Sequence, residues 1–240
     1  DHLDMLQLLG SYIAVALDNS RKHATIQRLN EEMIEEKGEL ENAYKRIAHM
    51  ANHDNLTQLP NRRLLADLTR EYLPLARRQS SHFALLYLDL DDFKPVNDTY
   101  GHKVGDEVLV EVAYRLSASV RSSDTVGRIG VDEFVIILRE VTTGGIEAIA
   151  EKVLDAICEP ILIGKREFEL GASIGISVFP DHGADYDALL VAADRAMYEV
   201  KQTGKRGISI ATVLPPDVSP TVDPAEQEIP SSERGEIGIV

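Results

Sequence analysis

The chain has 240 residues, of which 44% are hydrophobic, enough for one well-packed domain with extensions. Its formal net charge of −15 argues against nucleic-acid polymers and anionic membranes as partners. The single cysteine, Cys158, excludes an internal disulfide framework. No signal peptide or long apolar stretch is visible, which predicts a cytoplasmic location. Because the sequence opens on Asp1 rather than methionine, a membrane anchor further upstream stays open.

Residues 1–50 carry apolar side chains at helical spacing, which becomes heptad spacing from Ile26 onwards. The two seam positions are occupied by Ile26, Met33, Leu40 and Ile47, and by Leu29, Glu36, Ala43 and Met50. This pattern predicts a parallel two-stranded coiled coil of about four heptads, and therefore a homodimer. Glu36 is expected to weaken the coil because it places a charge in the seam. The alternative is an amphipathic helix that packs on its own domain.

The segment that follows alternates helical and strand patterns. Helices are predicted over Leu64–Gln79, Val104–Val120, Gly145–Ile157 and Tyr186–Gln202, and strands over Phe83–Leu88, Phe168–Phe179 and Gly207–Ala211. Pro74 is expected to end or kink the first helix near Leu73. The second helix is expected to present free backbone N–H groups at Gly105–Asp106. Between the helices, Asp124–Val126 and Phe134–Leu138 predict a central antiparallel hairpin, hence an α+β sandwich.

Two acidic turns follow apolar strands. The hairpin carries Asp132 and Glu133 at the start of its return strand, and Asp89 comes directly after the run that begins at Phe83. An isolated Asp-Glu pair is more often a solvated turn. Paired with Asp89, however, Asp132 would supply the hard oxygen ligands that Mg²⁺ prefers. With Lys94 close by in sequence, the two turns suggest a site for nucleotide phosphates.

Several ordered motifs resemble those of one known family. Asp54–Arg63 (DNLTQLPNRR) is similar to its opening D-x-L-T-G-L-x-N-R-R, with Gln58 in place of glycine. Asp89–Asp98 (DLDDFKPVND) and Gly101–Asp106 (GHKVGD) resemble its middle motifs, and GVDEF resembles GGDEF, with Val131 replacing the second glycine. Over Ala51–Ala211 the chain therefore resembles the GGDEF-domain diguanylate cyclases.

The resemblance implies a domain organisation. Residues 51–212 would form the GGDEF domain, with a mostly antiparallel five-stranded sheet wrapped by helices, as in nucleotidyl cyclases and polymerase palms. Residues 1–50 would link it to an upstream sensor in the same chain, since Leu6–His23 looks like the last helix of a sensor domain, possibly of the GAF type. Residues 213–240 are proline-rich and acidic, which predicts a disordered tail or, alternatively, the start of a linker.

The resemblance also implies a reaction, in which two GTP molecules on facing monomers condense to cyclic di-GMP and release pyrophosphate. Asp89 and Asp132, with the Leu90 carbonyl, would hold Mg²⁺ or Mn²⁺, and Glu133 is a second candidate ligand. Lys94 would neutralise charge on the triphosphate in the transition state. The alternative for Lys94 is a solvated surface lysine.

Further residues match family positions that bind substrate and product. Asn97 and Asp106 would contact the guanine edge, because a carboxylate accepts the N1–H and N2–H₂ donors that adenine lacks. His102 would line the same pocket or, alternatively, make local hydrogen bonds at a helix start. Lys201 and Lys205 would reach the phosphates. Arg121 and Asp124 would form an R-x-x-D product-inhibition site for cyclic di-GMP.

Val131 is the main departure from the family pattern. A glycine at this place is expected to allow positive φ and to leave room where the backbone approaches the substrate. A β-branched residue there would be strained by about 1–3 kcal/mol, or the turn would relax and move the phosphate contact. Activity is therefore expected to be weak or conditional. Three hypotheses follow: a weak diguanylate cyclase, a catalytically silent module that senses GTP or cyclic di-GMP, and a dimerisation scaffold.

Overall fold

The structure, a computed structural model, describes residues 2–141 and 143–213, so the predicted tail from residue 214 onwards lies outside the described residues. Helix α1 (His2–Asn52) spans the whole N-terminal section. The predicted seam is open along this helix, since Leu29 is 52% and Leu40 71% exposed. These side chains do not pack on the globular part, contrary to the alternative above, and the coiled-coil dimer stays a prediction. Within the described residues, no helix has the length and apolarity to cross a membrane.

Over the residues that the structure describes, the globular part combines five further helices with seven strands. The helices are α2 (Arg62–Gln79), α3 (Phe93–Tyr100), α4 (His102–Ser119), α5 (Thr143–Cys158) and α6 (Tyr186–Thr203). The strands are β1 (Phe83–Asp91), β2 (Thr125–Arg128), β3 (Glu133–Leu138), β4 (Ile161–Ile163), β5 (Arg166–Phe168), β6 (Gly171–Phe179) and β7 (Gly207–Ile210). The main sheet has the order β2-β3-β1-β6-β7, and β4 pairs with β5 in a separate hairpin. Only the β6–β7 pairing is parallel within this described sheet, which confirms the predicted α+β architecture.

The central strand β1 is buried at all nine positions because helices cover both faces of the sheet. Leu86 and Leu88 belong to the core that contains residues of α4 and α5. Leu85 and Tyr87 point to the opposite core, which contains residues of α2 and α6. This alternation decides which side chains at the end of β1 reach each layer. Asp89 shares the α2/α6 face with Tyr87, two residues earlier.

Helix α2 continues through Pro74 to Gln79, the end predicted for it, so Pro74 does not end the helix near Leu73. Leu73 and Ala76 are buried on either side of the proline, and this packing holds the last turns in place. The helix begins two residues earlier than predicted. Its N-cap Asn61 accepts a hydrogen bond from the Leu64 backbone N–H at 3.0 Å.

The acidic segment after β1 differs from the prediction in two ways. Strand β1 extends to Asp91, and the short helix α3, which the sequence did not predict, follows at Phe93. Gly101, with φ of 83°, separates α3 from α4, so α4 begins at His102. The Gly105 N–H is bonded to the Gly101 carbonyl at 3.3 Å, and the expectation of a free N–H at Gly105 was therefore wrong.

Candidate functional site

Strand pairing brings the two predicted acidic segments together. Glu133 lies directly opposite Asp89 in the antiparallel β1–β3 register. Beyond the last paired residues, the Leu90 N–H donates to the Asp132 carbonyl at 3.1 Å, which fixes the turn of the β2–β3 hairpin against the end of β1. Asp89, Leu90, Asp132 and Glu133 are thus neighbours at one end of the sheet, as the sequence predicted. Their roles remain predictions.

A lysine from α6 lies on this acidic end. The Lys201 ammonium is 2.7 Å from Asp89 Oδ2. Burial raises the pKa of Asp89 above its ordinary value, an effect that Lys201 opposes and the Asp132 charge reinforces. Burial likewise raises the pKa of Asp132, which also interacts with Lys201. Two partly desolvated carboxylates around one ammonium group make a site whose charge favours a cation.

The donor set fits a small hard cation. Asp89 and Asp132 supply carboxylate oxygens beside the backbone of Leu90, and Mg²⁺ usually takes one or two protein carboxylates together with substrate phosphates and waters. Within residues 2–141 and 143–213, no group of three or more His, Cys, Asp or Glu side chains is arranged to hold a metal ion. A divalent cation here would share Asp89 with the ammonium of Lys201 or displace it.

Tyr87 was missed by the sequence analysis. Its hydroxyl donates to Glu133 Oε1 at 3.0 Å, and the ring is only 6% exposed. Burial first, and then the Glu133 charge, raise the pKa of Tyr87 well above its usual range, so the phenol stays a hydrogen-bond donor. The sequence did contain a signal for this contact, because a tyrosine in a buried aliphatic strand needs a polar partner for its hydroxyl.

Val131 does not have the backbone geometry expected for it. The non-glycine residues with positive φ in the described part of the chain are Gln58, Ser80, Asp92, Glu140, Lys205 and Arg206. Val131 lies outside that set and is 66% exposed, so the expected strain is absent. The other glycine replacement, Gln58, does adopt a left-handed conformation, with φ of 60°. The strained departure from the family pattern is therefore Gln58.

Gln58 joins the opening loop to α1. Its Oε1 lies 3.0 Å from His49 Nε2, and its Nε2 donates to the Asn55 carbonyl at 2.8 Å. These two hydrogen bonds hold the side chain in place and offset part of the backbone strain. A glycine at this position would leave His49 without this contact.

The opening loop is also tied to the signature hairpin, through an ion pair that the sequence analysis did not predict. Arg128 Nη1 donates to Asp54 Oδ1 at 2.9 Å, and Nη2 donates to the Val131 carbonyl at 2.7 Å. Burial alone would raise the pKa of Asp54, but hydrogen bonds from Thr57 and Arg128 hold it below its ordinary value. The ionised pair therefore fixes the outer side of the signature turn.

The predicted guanine-binding residues lie on α3 and α4. A Cβ at Gly105 would clash with Asn97 Oδ1, so the Asn97 amide packs closely on the Gly105 backbone. Asp106 and His102 are exposed to solvent. Lys94 is also exposed, and no ion pair involves it in the described structure. The fold thus places the Asn97 amide against Gly105, the residue before Asp106.

The predicted phosphate ligand Lys205 lies in the turn between α6 and β7. Its ammonium is 2.7 Å from Asp92 Oδ1. Asp91, which is 3% exposed, accepts hydrogen bonds from Ser173 Oγ at 2.8 Å and from the Arg206 N–H at 2.9 Å. The buried Asp91 therefore anchors the turn that carries Lys205, next to Lys201 at the end of α6.

The predicted product site lies apart from these residues, at the start of β2. Asp124 accepts hydrogen bonds from the backbone N–H groups of Arg121, at 3.0 Å to Oδ2, and of Arg139, at 3.1 Å to Oδ1. Arg121 and Asp124 line a cavity of about 230 Å³. The Arg121 side chain is exposed, whereas Asp124 holds the surrounding backbone in place.

Comparison with known proteins identifies the family. The family described as "Diguanylate cyclase, GGDEF domain" matches residues 51–207. MucR of Pseudomonas aeruginosa, named a bifunctional diguanylate cyclase/cyclic di-GMP phosphodiesterase, is 43% identical over 168 residues, 70% of this chain and 24% of MucR. PdeR of Escherichia coli, named a cyclic di-GMP phosphodiesterase, is 35% identical over 170 residues, 71% of this chain and 25% of PdeR.

A third relative has a solved structure. The diguanylate cyclase TpbB of Pseudomonas aeruginosa is 34% identical over 189 residues, 77% of this chain and 43% of TpbB. A structure of TpbB comprising only its GGDEF domain matches with a TM-score of 0.65 and 35% identity, covering 67% of this chain and 95% of that one. The chain spans less than half the length of each of these three relatives. By sequence and by fold, the chain belongs to the GGDEF-domain diguanylate cyclase family.

Proposed function

We propose that this chain is a diguanylate cyclase, which condenses two GTP molecules into cyclic di-GMP with release of pyrophosphate. The observation that carries the proposal is the cluster of Asp89, Asp132 and Lys201 at one end of the sheet. The backbone strain that was one reason to expect weak activity is absent, because Val131 does not have positive φ.

Asp89, Asp132 and the Leu90 carbonyl would hold Mg²⁺ or Mn²⁺, which supplies charge neutralisation to the triphosphate when it is bound. Lys201 leaves Asp89 in that state, and its ammonium becomes available to a phosphate oxygen. Lys205, in the neighbouring turn, likewise leaves Asp92 and pairs with a phosphate oxygen. Each lysine thus exchanges a carboxylate partner for a phosphate partner, which limits the cost of desolvating its ammonium group.

The base would be selected by Asp106 and Asn97. A carboxylate accepts hydrogen bonds from the N1–H and N2–H₂ groups of guanine, and the Asn97 amide supplies further polar contacts. His102 on the same helix lines this pocket in the proposal. Lys94, exposed on α3, adds positive charge for the transition state. Adenine lacks the donor pair and would leave Asp106 unpaired.

The proposed assembly is a homodimer through the coiled coil of α1, because each GTP must meet the one bound to a facing monomer. The 3′-hydroxyl of one GTP then attacks the α-phosphate of the other, and pyrophosphate leaves. Residues 1–50 would connect the GGDEF domain of residues 51–212 to an upstream sensor in the cytoplasm, and residues 213–240 would form a tail. Arg121 and Asp124 would bind the product.

The proposal is tested by incubating the purified chain with GTP and Mg²⁺ and separating the nucleotides by chromatography. We expect cyclic di-GMP to form, and none to form with Asp132→Ala, because the cation site loses a carboxylate. ATP in place of GTP is the matched control for base choice. GTP that stays unchanged with the parent chain would contradict the proposal.

A second candidate function is a catalytically silent module that binds cyclic di-GMP. It is favoured by the cavity at Arg121 and Asp124, which is formed independently of the acidic end of the sheet. Calorimetry with cyclic di-GMP separates it from a dimerisation scaffold, for which no heat of binding is expected.

A further inference from the structure

The side chain of Glu133, the second carboxylate of the GVDEF signature, is contacted on two sides. Tyr87 donates to Glu133 Oε1 at 3.0 Å, and the other oxygen lies against the backbone of Gly130. A Cβ at Gly130 would clash with Glu133 Oε2, so the glycine at this place leaves room for the carboxylate. Gly130 is not among the glycines with positive φ. Its role in this structure is therefore the space it leaves beside Glu133.

The position of Glu133 matters because of its charge. It lies opposite Asp89 in the strand register and close enough to Asp132 to interact with it electrostatically. A third negative charge at this distance raises the attraction of the site for a divalent cation. A glutamate at the start of a strand can also turn towards water, where its charge would be screened. Something must therefore hold Glu133 at the site.

We propose that Tyr87 is the positioning residue for Glu133, and that its hydroxyl keeps this carboxylate beside Asp89 and Asp132 so that the site binds a divalent cation tightly. The Tyr87 ring is buried in the core between the sheet and α2 and α6, which makes the hydroxyl a fixed donor. Tyr87 acts through Glu133 and touches neither substrate nor metal in this role. The cation-binding part of the inference rests on the proposed function.

The chain offers a matched control. Tyr186 is 2% exposed in the same core, and its hydroxyl has no hydrogen-bond partner in the described structure. Tyr87→Phe and Tyr186→Phe therefore each remove one buried hydroxyl from the same layer. Only the first removes a hydrogen bond to Glu133. A general loss of packing or polarity would affect both variants alike.

The first measurement is the affinity for Mn²⁺. It is determined by electron paramagnetic resonance in the presence of a non-hydrolysable GTP analogue. We expect Tyr87→Phe to weaken Mn²⁺ binding about tenfold, as the loss of a group that orients a metal ligand typically does. Tyr186→Phe should bind Mn²⁺ as the parent does. In a Glu133→Ala background, Tyr87→Phe should cause no further loss. Unchanged Mn²⁺ binding in Tyr87→Phe, or a full further loss without Glu133, would overturn the inference.

The second measurement needs no ligand. The melting temperatures of the parent, Tyr87→Phe, Glu133→Ala and the double variant are compared in the presence of a chelator. We expect the double variant to lose less than the sum of the single losses, because both changes remove the same hydrogen bond. Additive losses would overturn the positioning role. If the parent binds no Mn²⁺, the proposed function and the cation-binding part both fail, and this cycle alone decides whether Tyr87 holds Glu133.

Discussion

The Nζ atom of Lys201 lies 2.7 Å from Oδ2 of Asp89, so one predicted phosphate ligand is paired with one predicted metal ligand. Both groups are engaged with each other, and each must change partner for substrate to bind as proposed. The pair also explains how a buried aspartate next to Asp132 is tolerated, since the ammonium offsets part of the like-charge repulsion. If both bind as proposed, cation binding and nucleotide binding are linked through Lys201.

Lys201→Met should raise the affinity for Mn²⁺ in the absence of nucleotide, because the lysine no longer competes for Asp89. Loss of a charge-assisted hydrogen bond corresponds to about 1.5 kcal/mol, or roughly tenfold in affinity. The same change should weaken binding of a GTP analogue by a similar factor. Lys205→Met is the control, since Lys205 pairs with Asp92 instead. Weaker Mn²⁺ binding in Lys201→Met without nucleotide would contradict the competition.

Val131→Gly should change the cyclisation rate only slightly. Val131 is 66% exposed and has no positive φ, so glycine relieves no strain there. Surface changes of this kind are worth about 0.5 kcal/mol, which is roughly two- to threefold in rate. Initial rates of cyclic di-GMP formation measure the effect. A tenfold or greater gain would show that the side chain obstructs the facing substrate.

Gln58→Gly and Gln58→Ala should separate strain from hydrogen bonding. Both changes remove the contacts to His49 and Asn55, but only glycine tolerates φ of 60° without cost. We expect Gln58→Ala to be less stable than Gln58→Gly by about 1 kcal/mol. Denaturant unfolding followed by circular dichroism gives both values. Equal stability would mean that the loop relaxes when the side chain is shortened.

Arg121→Ala should abolish binding of cyclic di-GMP and leave stability unchanged, because the Arg121 side chain is exposed. A guanidinium group offers planar, bidentate donors to a phosphate or to the Hoogsteen edge of guanine. Asp124→Ala should reduce stability as well as cyclic di-GMP binding, because two backbone N–H groups lose their acceptor. Titration calorimetry and thermal unfolding distinguish the two variants. Undiminished binding by Arg121→Ala would show that the R-x-x-D match is accidental.

Asp106→Asn should weaken GTP binding more than ATP binding. The carboxylate accepts two donors from guanine, whereas an amide presents a donor to one of them. The loss should be about tenfold or more for GTP, as for other sites that leave a polar group unpaired. Asp98→Asn, on the exposed side of α3, is the control. Similar losses for both nucleotides would remove Asp106 from base selection.

Long periodic segments were predictable from the sequence, whereas short or distant features were not. Strand β1 and helix α6 lie close to their predicted positions because their apolar patterns are dictated by burial. Helix α3 was missed because it has eight residues, includes Pro95 and buries only Phe93 and Val96. A helix so short takes its stability from tertiary packing, which leaves little periodicity to detect.

Within the site, the acidic residues were predictable, and the groups that hold them were not. Asp54 and Arg128 are 74 residues apart in sequence, and no local pattern indicates that they meet. The strain predicted at Val131 is absent because the turn does not place that residue at positive φ. In this structure Gly130 leaves space for Glu133, which is a tertiary contact and cannot be read from φ preferences.

The hydrogen bonds that join α1 to the opening loop continue into the signature turn. The last turn of α1 accepts hydrogen bonds from Asn61, through the Ala51 and Asn52 carbonyls at 2.9 Å. The neighbouring Pro60 carbonyl accepts from the Arg128 N–H, also at 2.9 Å, and the Arg128 side chain grips the Val131 carbonyl. A rotation of α1 about its own axis would therefore reach the signature turn through these hydrogen bonds, and not through the hydrophobic core. The long helix and the candidate site are thus connected by polar contacts that end at Arg128.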